Sequence, residues 1–145
     1  MFTRTPAPWH LWLLGVAALL WHIVGAADYV ATQYEYGPYV TLFPAEWLGY
    51  FGSLPAWVDA AWAIGVWGGL LGAVLLLMRE RGAVLALVVA ALAMLVATIW
   101  MIFVSDPSLQ SVTGMDGVWV MVGASAVPVG LWLYARWLKI AQVLG

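Results

Sequence analysis

Four long stretches of almost uncharged residues constrain this chain more than any other feature of its sequence. They cover residues 10–27, 56–78, 83–104 and 117–138. A helix needs about 20 mostly apolar residues to cross a hydrocarbon core about 30 Å thick, because each residue adds about 1.5 Å. Each stretch therefore predicts one membrane-spanning helix. The sequence predicts an all-α membrane protein, a compact four-transmembrane-helix bundle formed by residues 1–145 as a single domain.

Composition excludes most other classes of protein. Hydrophobic residues make up 66% of the 145 residues and charged residues only 8%, against about 25% charged residues in an ordinary soluble domain. This excludes a soluble globular protein, a disordered chain and a nucleic-acid-binding protein, which would need a basic patch. Because the chain has no cysteine, it has no disulfide, no thiolate metal site and no cysteine nucleophile.

The five basic residues predict how the helices are oriented. They precede the first span, separate the second from the third, or end the fourth: Arg4, Arg79, Arg81, Arg136 and Lys139. In a chain with four spans these three places lie on one side of the membrane. The positive-inside rule then predicts that both termini lie in the cytoplasm, with the lipid bilayer around the bundle.

The first span has a second interpretation. One basic residue, an apolar run and the small residues Val24-Gly25-Ala26 resemble a secretory signal with its cleavage site. Cleavage would leave three spans, with the N-terminus outside.

Residues 28–55 form the only long connection, and they are rich in aromatic residues. Gly37-Pro38 predicts a turn. Pro44-Ala45-Glu46 predicts the start of a short helix on the membrane surface. A long structured loop is more often functional than a plain tether. This outer loop is compatible with two roles, a lid over an outer cavity or a docking surface for another protein.

Small residues at three- and four-residue spacing predict close packing of the helices. In the first span Gly15, Ala18, His22 and Gly25 share one face, and the other three spans carry similar stripes. Such packing argues against a wide aqueous pore through one chain. Pro128 predicts a kink in the fourth span, either purely structural or a hinge for gating, with Ser125 near enough to satisfy part of the freed backbone.

Few polar side chains lie at membrane depth, and ionisable groups there are often functional. His22 is expected to point into the bundle about five residues, or 7–8 Å, from the outer end of its helix. Similar depths make a ligand-binding polar layer of His22, Trp62, Thr98 and Trp100 the best candidate site. Two readings of His22 stay open, an interhelical hydrogen bond and a ligand or proton site.

A second candidate site is an outer vestibule with Asp59 and Tyr29. Asp59 lies in the first turn after Pro55, where the helix dipole alone favours an acid. The alternative is an acid that binds a cation or a proton at the vestibule.

Patterns for catalysis and for cofactors are missing. His10 and His22 are twelve residues apart on one helix, about 18 Å, and therefore cannot ligate one haem iron together. A metal cluster, a Ser/His/Asp triad and a phosphate-binding loop are also absent. The sequence therefore predicts a protein that is not an enzyme and that holds no metal and no cofactor.

Two segments carry a family resemblance. They read PWHLWLLGVAALLWHIVGAADYVATQ and FPAEWLGYFGSLPAWVDAAWAIGVWGGLLGAVLLLMRERGAV. Together they resemble small four-span proteobacterial membrane proteins labelled as sugar transporters, most specifically at WH…GAADY and PAW…WAIGVWGG. The resemblance covers most of the chain. It implies solute transport in the bacterial inner membrane.

Two functions are therefore expected. The first is a transporter of a small solute such as a sugar, acting as a homo-oligomer. The second is a non-catalytic accessory or scaffold subunit of a larger inner-membrane complex, which a polar-poor bundle with an aromatic loop also suits. A lipid- or quinone-type binder needs only an apolar groove and is a third possibility.

Overall fold

Residues 5–145 are described by the computed structural model, and they form six α-helices with no strand among them. The helices are α1 (Trp9–Gln33), α2 (Gly37–Val40), α3 (Ala45–Gly52), α4 (Ala56–Leu77), α5 (Gly82–Phe103) and α6 (Leu109–Ile140). Four of them, α1, α4, α5 and α6, are long and apolar enough to cross a membrane. The prediction of an all-helical protein with four candidate spans is confirmed. Arg4, which contributed to the predicted orientation, lies outside the described residues.

Helix α1 continues six residues beyond the predicted first span. Residues 28–33 contain neither glycine nor proline, so nothing in their sequence stops the helix. The chain turns just beyond α1, where Glu35 adopts a φ of 47°, a value that L-residues rarely take. Asp28 and Tyr29 therefore belong to α1, and the predicted loop 28–55 is shortened to residues 34–55.

Helix α6 begins eight residues before the predicted fourth span. The Ser108 hydroxyl accepts the backbone N–H of Ser111 at 3.3 Å and caps this end of the helix. Gly114, at φ 68° and ψ −165°, interrupts the helical geometry, because glycine takes a positive φ without steric cost. Pro128, where the sequence predicted the kink, keeps helical dihedral angles and is fully buried.

Helices α4 and α5 pack face to face along a row of small residues. A Cβ on Gly65 would lie 2.9 Å from Met94 Cε, and a Cβ on Gly68 would lie 3.3 Å from Ala90 Cβ. Small residues let two backbones approach in lipid, where no hydrophobic force drives helices together. Of the small residues of the second span, Gly65 and Gly68 therefore lie in its contact with α5.

The four long helices are arranged in the order α1, α4, α5, α6. Helices α1 and α6 close the bundle mainly through side chains. The indole of Trp21 lies 3.9 Å from the place of a Cβ on Gly123. His10 Nδ1 and the Tyr134 hydroxyl are 2.5 Å apart. The bundle is thus tightest between α4 and α5 and loosest between α1 and α6.

Two apolar clusters fill the bundle, one at each end. The loop end is the end that carries residues 34–55, and the tail end carries residues 78–81 and 141–145. The loop-end cluster includes Val58, Trp62, Val66, Met94, Ala97 and Met101. The tail-end cluster includes Leu11, Leu76, Ala83, Leu87, Leu138 and Leu144. Along α1, His22 lies between the residues that belong to the two clusters.

Residues 141–145 fold back over the tail end and are held there by arginines. Arg79 Nε donates to the carbonyl oxygen of Val143 at 3.1 Å, and Arg81 Nε donates to that of Leu144 at 3.5 Å. Val143 and Leu144 are buried. Arg79 and Arg81, two of the basic residues from which the orientation was predicted, therefore bind the backbone of residues 141–145.

Candidate functional site

His22 and Gly69 face each other halfway along the contact between α1 and α4. His22 is the fourteenth of the 25 residues of α1, and Gly69 is the fourteenth of the 22 residues of α4. The imidazole is only 5% exposed. A Cβ on Gly69 would come within 3.0 Å of both Cδ2 and Nε2 of the ring. Glycine at position 69 therefore leaves the space that the imidazole fills.

The hydrogen bond of His22 determines which ring nitrogen remains free. Nδ1 lies 2.8 Å from the carbonyl oxygen of Ala18, and a carbonyl only accepts, so Nδ1 carries the proton. Nε2 is then an acceptor, and it makes no hydrogen bond within residues 5–145. Every fully enclosed side-chain nitrogen or oxygen of that range has a partner. Nε2 is therefore not fully enclosed by the described residues.

The structure places His22 farther from the end of its helix than the sequence predicted. Because α1 ends at Gln33, His22 lies eleven residues, or about 16 Å, from that end of the helix. Trp62 precedes Gly69 by seven residues on α4, which puts it about 10 Å nearer the loop end. The prediction rested on a helix that ends at residue 27. The four predicted residues therefore do not form one layer.

Thr98 binds Ser125 across the contact between α5 and α6. Their hydroxyl oxygens are 2.8 Å apart, and the carbonyl oxygen of Met121 accepts from Ser125 at 3.0 Å and from Thr98 at 3.4 Å. Ser125 therefore satisfies this carbonyl rather than the one that Pro128 frees, which belongs to residue 124. The pair is a satisfied polar contact between two helices.

Trp100 and Trp62 contact different aromatic rings. Its indole meets that of Trp57 edge to face, with the ring centroids 5.9 Å apart and the planes at 80°. Trp57 is 53% exposed. Trp100 itself is partly buried and packs against the loop-end cluster.

Tyr29 and Asp59 meet at the loop end, where the sequence predicted an outer vestibule. The Tyr29 hydroxyl lies 3.5 Å from Asp59 Oδ1, and Gln33 Nε2 donates to the same oxygen at 2.6 Å. The Tyr29 ring meets Trp62 edge to face at 4.9 Å, and Phe51 of α3 lies 5.3 Å from the same indole. Asp59 thus joins α1 to α4, and aromatic rings occupy the vestibule.

Two tyrosines hold the short helices against the bundle. The Tyr50 hydroxyl of α3 lies 3.0 Å from Ser105 Oγ and 3.4 Å from the carbonyl oxygen of Met101. Burial raises the pKa of Tyr50, and the hydrogen bond with Ser105 opposes this shift. The Tyr39 hydroxyl of α2 donates to Asp28. Burial raises the pKa of Tyr39, and the hydrogen bond and charge of Asp28 raise it further.

An open groove of about 490 Å³ lies between the end of α1, α2 and α3. Its lining residues are Glu35, Val40, Ala45, Leu48, Gly49, Gly52 and Ser53. Sequence reasoning missed this groove, because it depends on how α2 and α3 are placed after the turn at Glu35. Its one signal in the sequence was an acid between two aromatic residues, Tyr34 and Tyr36.

Charged residues are divided between the two ends. Six of the seven acidic residues lie at the loop end: Asp28, Glu35, Glu46, Asp59, Asp106 and Asp116. The basic residues of the described chain lie at the tail end, together with Glu80: Arg79, Arg81, Arg136 and Lys139. No three His, Asp or Glu side chains of residues 5–145 are placed to hold a metal ion.

No protein family, curated protein or solved structure matches the chain.

Proposed function

We propose that the protein transports a small solute across a bacterial inner membrane, with the loop end outside and the tail end in the cytoplasm. The observation that carries the proposal is the free Nε2 of His22 beside Gly69. Polar groups are costly in a hydrocarbon interior, and those found there commonly mark ion, proton or substrate pathways. His22 lies at the middle of a candidate span and keeps one acceptor uncommitted.

The proposal includes assembly of several copies. The small residues between α4 and α5 let these two helices pack closely, which leaves a solute little space between them. By contrast, Gly25 of α1 and Gly130 of α6 have nothing within 4 Å of an added Cβ. Small residues on helix surfaces allow another helix to approach closely. We therefore propose that the copies meet at these two helix surfaces.

Few hydrogen-bond partners are available to the solute inside the bundle. Thr98 and Ser125 already bind each other and the backbone, whereas Nε2 of His22 has no hydrogen-bond partner among the described residues. A sugar needs polar partners that replace its water. The resemblance to proteins labelled as sugar transporters supports transport, and the packing favours a solute with few polar groups, or a proton.

Flux into proteoliposomes tests the proposal. The probes are radiolabelled glucose and protons, the latter followed by entrapped pyranine. We expect His22→Ala to reduce flux to the level of empty liposomes, while Thr98→Val keeps it because Thr98 lies outside the path. Equal flux in His22→Ala and the natural protein would remove His22 from the mechanism. Absence of flux of both probes would contradict transport of either.

A second candidate function is that of an accessory subunit in a larger membrane complex. It is favoured by the exposed apolar side chains of the loop end, where Tyr34 is 81%, Tyr36 61% and Leu42 72% exposed. Native mass spectrometry of the protein in host-membrane nanodiscs tests it. A stoichiometric partner that is lost in a Tyr34→Ser, Leu42→Ser double variant would support this role, and only homo-oligomers would contradict it.

A further inference from the structure

The groove between α2 and α3 presents side-chain hydrogen-bond acceptors next to an apolar surface. Glu35 supplies a carboxylate, and it is the only ionisable side chain among the lining residues. The Ser53 hydroxyl donates to the Tyr50 carbonyl at 2.8 Å, so its oxygen is left to accept. Val40 and Leu48 supply the apolar surface. A ligand that complements these groups carries a hydrogen-bond donor and an apolar body.

The surrounding charges favour a cation. Six carboxylates lie at the loop end, and every basic residue of the described chain lies at the other end. Carboxylates without a basic neighbour produce a negative potential that attracts cations and speeds their association. The lining contains one carboxylate, whereas hard metal cations prefer several oxygen ligands. A molecular cation therefore fits the groove better than a metal ion.

Aromatic residues adjoin Glu35 in the sequence, although they do not line the groove. Tyr34 and Tyr36, on either side of Glu35, are 81% and 61% exposed, so their ring faces are accessible. Ammonium groups are attracted to the faces of aromatic rings. The groove, of about 490 Å³, is open, and five of its seven lining residues are exposed, so a ligand bound there keeps contact with solvent.

We propose that this groove binds a small organic ammonium ion, with the charged nitrogen at Glu35 and Ser53 and the apolar body against Val40 and Leu48. The proposal concerns binding alone and stands whether or not the ion crosses the membrane. Loss of binding in a groove variant therefore leaves the flux experiment on His22 unaffected.

Calorimetric titration tests the proposal, with the full chain in micelles of a non-ionic detergent. The probe is benzylamine, its neutral counterpart is benzyl alcohol, and empty micelles correct for partition into the detergent. We expect one benzylamine per chain, bound at least about tenfold more tightly than benzyl alcohol. Binding should weaken as salt is added, because salt screens exposed charges. Equal binding of the amine and the alcohol would overturn the proposal.

Matched variants locate the site. Glu35→Gln should weaken benzylamine binding at least about tenfold, whereas Glu46→Gln, an acid of α3 outside the lining, should change it less than about twofold. Gly49→Phe should abolish binding, because a Cβ at Gly49 has nothing within 4 Å and the ring would extend into the groove. If Glu35→Gln does not fold, Glu35→Gly replaces it, since glycine accepts the φ of 47° at this position. Unchanged binding in the folded Glu35 variant would place the amine elsewhere.

Discussion

The imidazole of His22 occupies the space in which a side chain on Gly69 would begin. This relationship ties a residue near the middle of α1 to one near the middle of α4. The ring can take this position only because residue 69 is glycine. A substitution of Gly69 therefore tests this packing directly.

Gly69→Ala should destabilise the protein, because its Cβ would collide with the imidazole of His22. Overpacking of this kind costs about 1–3 kcal/mol. Gly130→Ala is the matched control: it has open space around its Cβ and should stabilise the helix by about 0.5–1 kcal/mol. Thermal unfolding in detergent, followed by circular dichroism, measures both. In the His22→Ala, Gly69→Ala double variant the two effects should not add, because the ring that collides is gone. Equal stability of Gly69→Ala and Gly130→Ala would contradict the contact.

Stability should fall as the pH rises above about 10. The pKa of Tyr39 and that of Tyr50 are both raised in the folded protein from the ordinary value of 10.0, mainly by burial. In this range the unfolded chain loses the phenolic protons and the folded chain keeps them, so ionisation favours unfolding until the folded pKa is reached. Below the ordinary value both states keep their protons and stability is unaffected.

Unfolding midpoints between about pH 8 and about pH 11 measure this loss. Tyr39→Phe and Tyr50→Phe should each make the decline shallower, while Tyr34→Phe, at an 81% exposed position, should leave its slope unchanged. A decline of the same slope in all three variants would show that Tyr39 and Tyr50 do not cause it.

Arg79→Ala should release the tail from the end of the bundle. The guanidinium donates to the carbonyl oxygens of Val143 at 3.1 Å and Thr5 at 2.5 Å, and each hydrogen bond to a charged group contributes about 1.5–3 kcal/mol. In a Val143→Cys background, labelling by a maleimide should accelerate about tenfold or more on adding Arg79→Ala. Arg136→Ala, at an exposed position of α6, serves as control. Identical rates in both backgrounds would mean that Arg79 does not hold the tail.

Single cysteines should label from opposite sides of the membrane. The natural chain has none, so each introduced thiol is the only target. We expect an impermeant maleimide to label Glu46→Cys in intact cells, because the loop end is proposed to lie outside. Lys139→Cys should react only after permeabilisation, and the reverse pattern would invert the proposed orientation. An intact mass well below 15.8 kDa would indicate that the first span is cleaved as a signal.

The sequence predicts the fold well because the bilayer imposes a length and a polarity on every helix. The buried face of α1 was largely predictable for the same reason: Gly15, Ala18 and His22 are buried as their spacing indicates. Gly25 was assigned to that face, but Ala26 is the buried residue at its end. Helix ends were less predictable, since α1 continues as a helix beyond its apolar stretch.

The candidate site was less accessible to sequence reasoning. Depth along one helix says little about which residue of a neighbouring helix lies opposite, because the register between helices follows from the packing of whole faces. His22 thus meets Gly69 rather than Trp62. The groove at Glu35 depends on the relative placement of α2 and α3, which no periodicity along the chain encodes.

The arrangement of the helices also suggests an order of assembly. Helices α4 and α5 are adjacent in sequence, with only residues 78–81 between them, and contacts between nearby segments form fastest. During membrane insertion this glycine-lined hairpin would form as a platform, to which α6 adds on one side and α1 on the other. Closure of α1 against α6 through Trp21 and His10 is then the last step of biogenesis. Substitutions in the glycine row should therefore impair production of the protein more than substitutions at that aromatic closure.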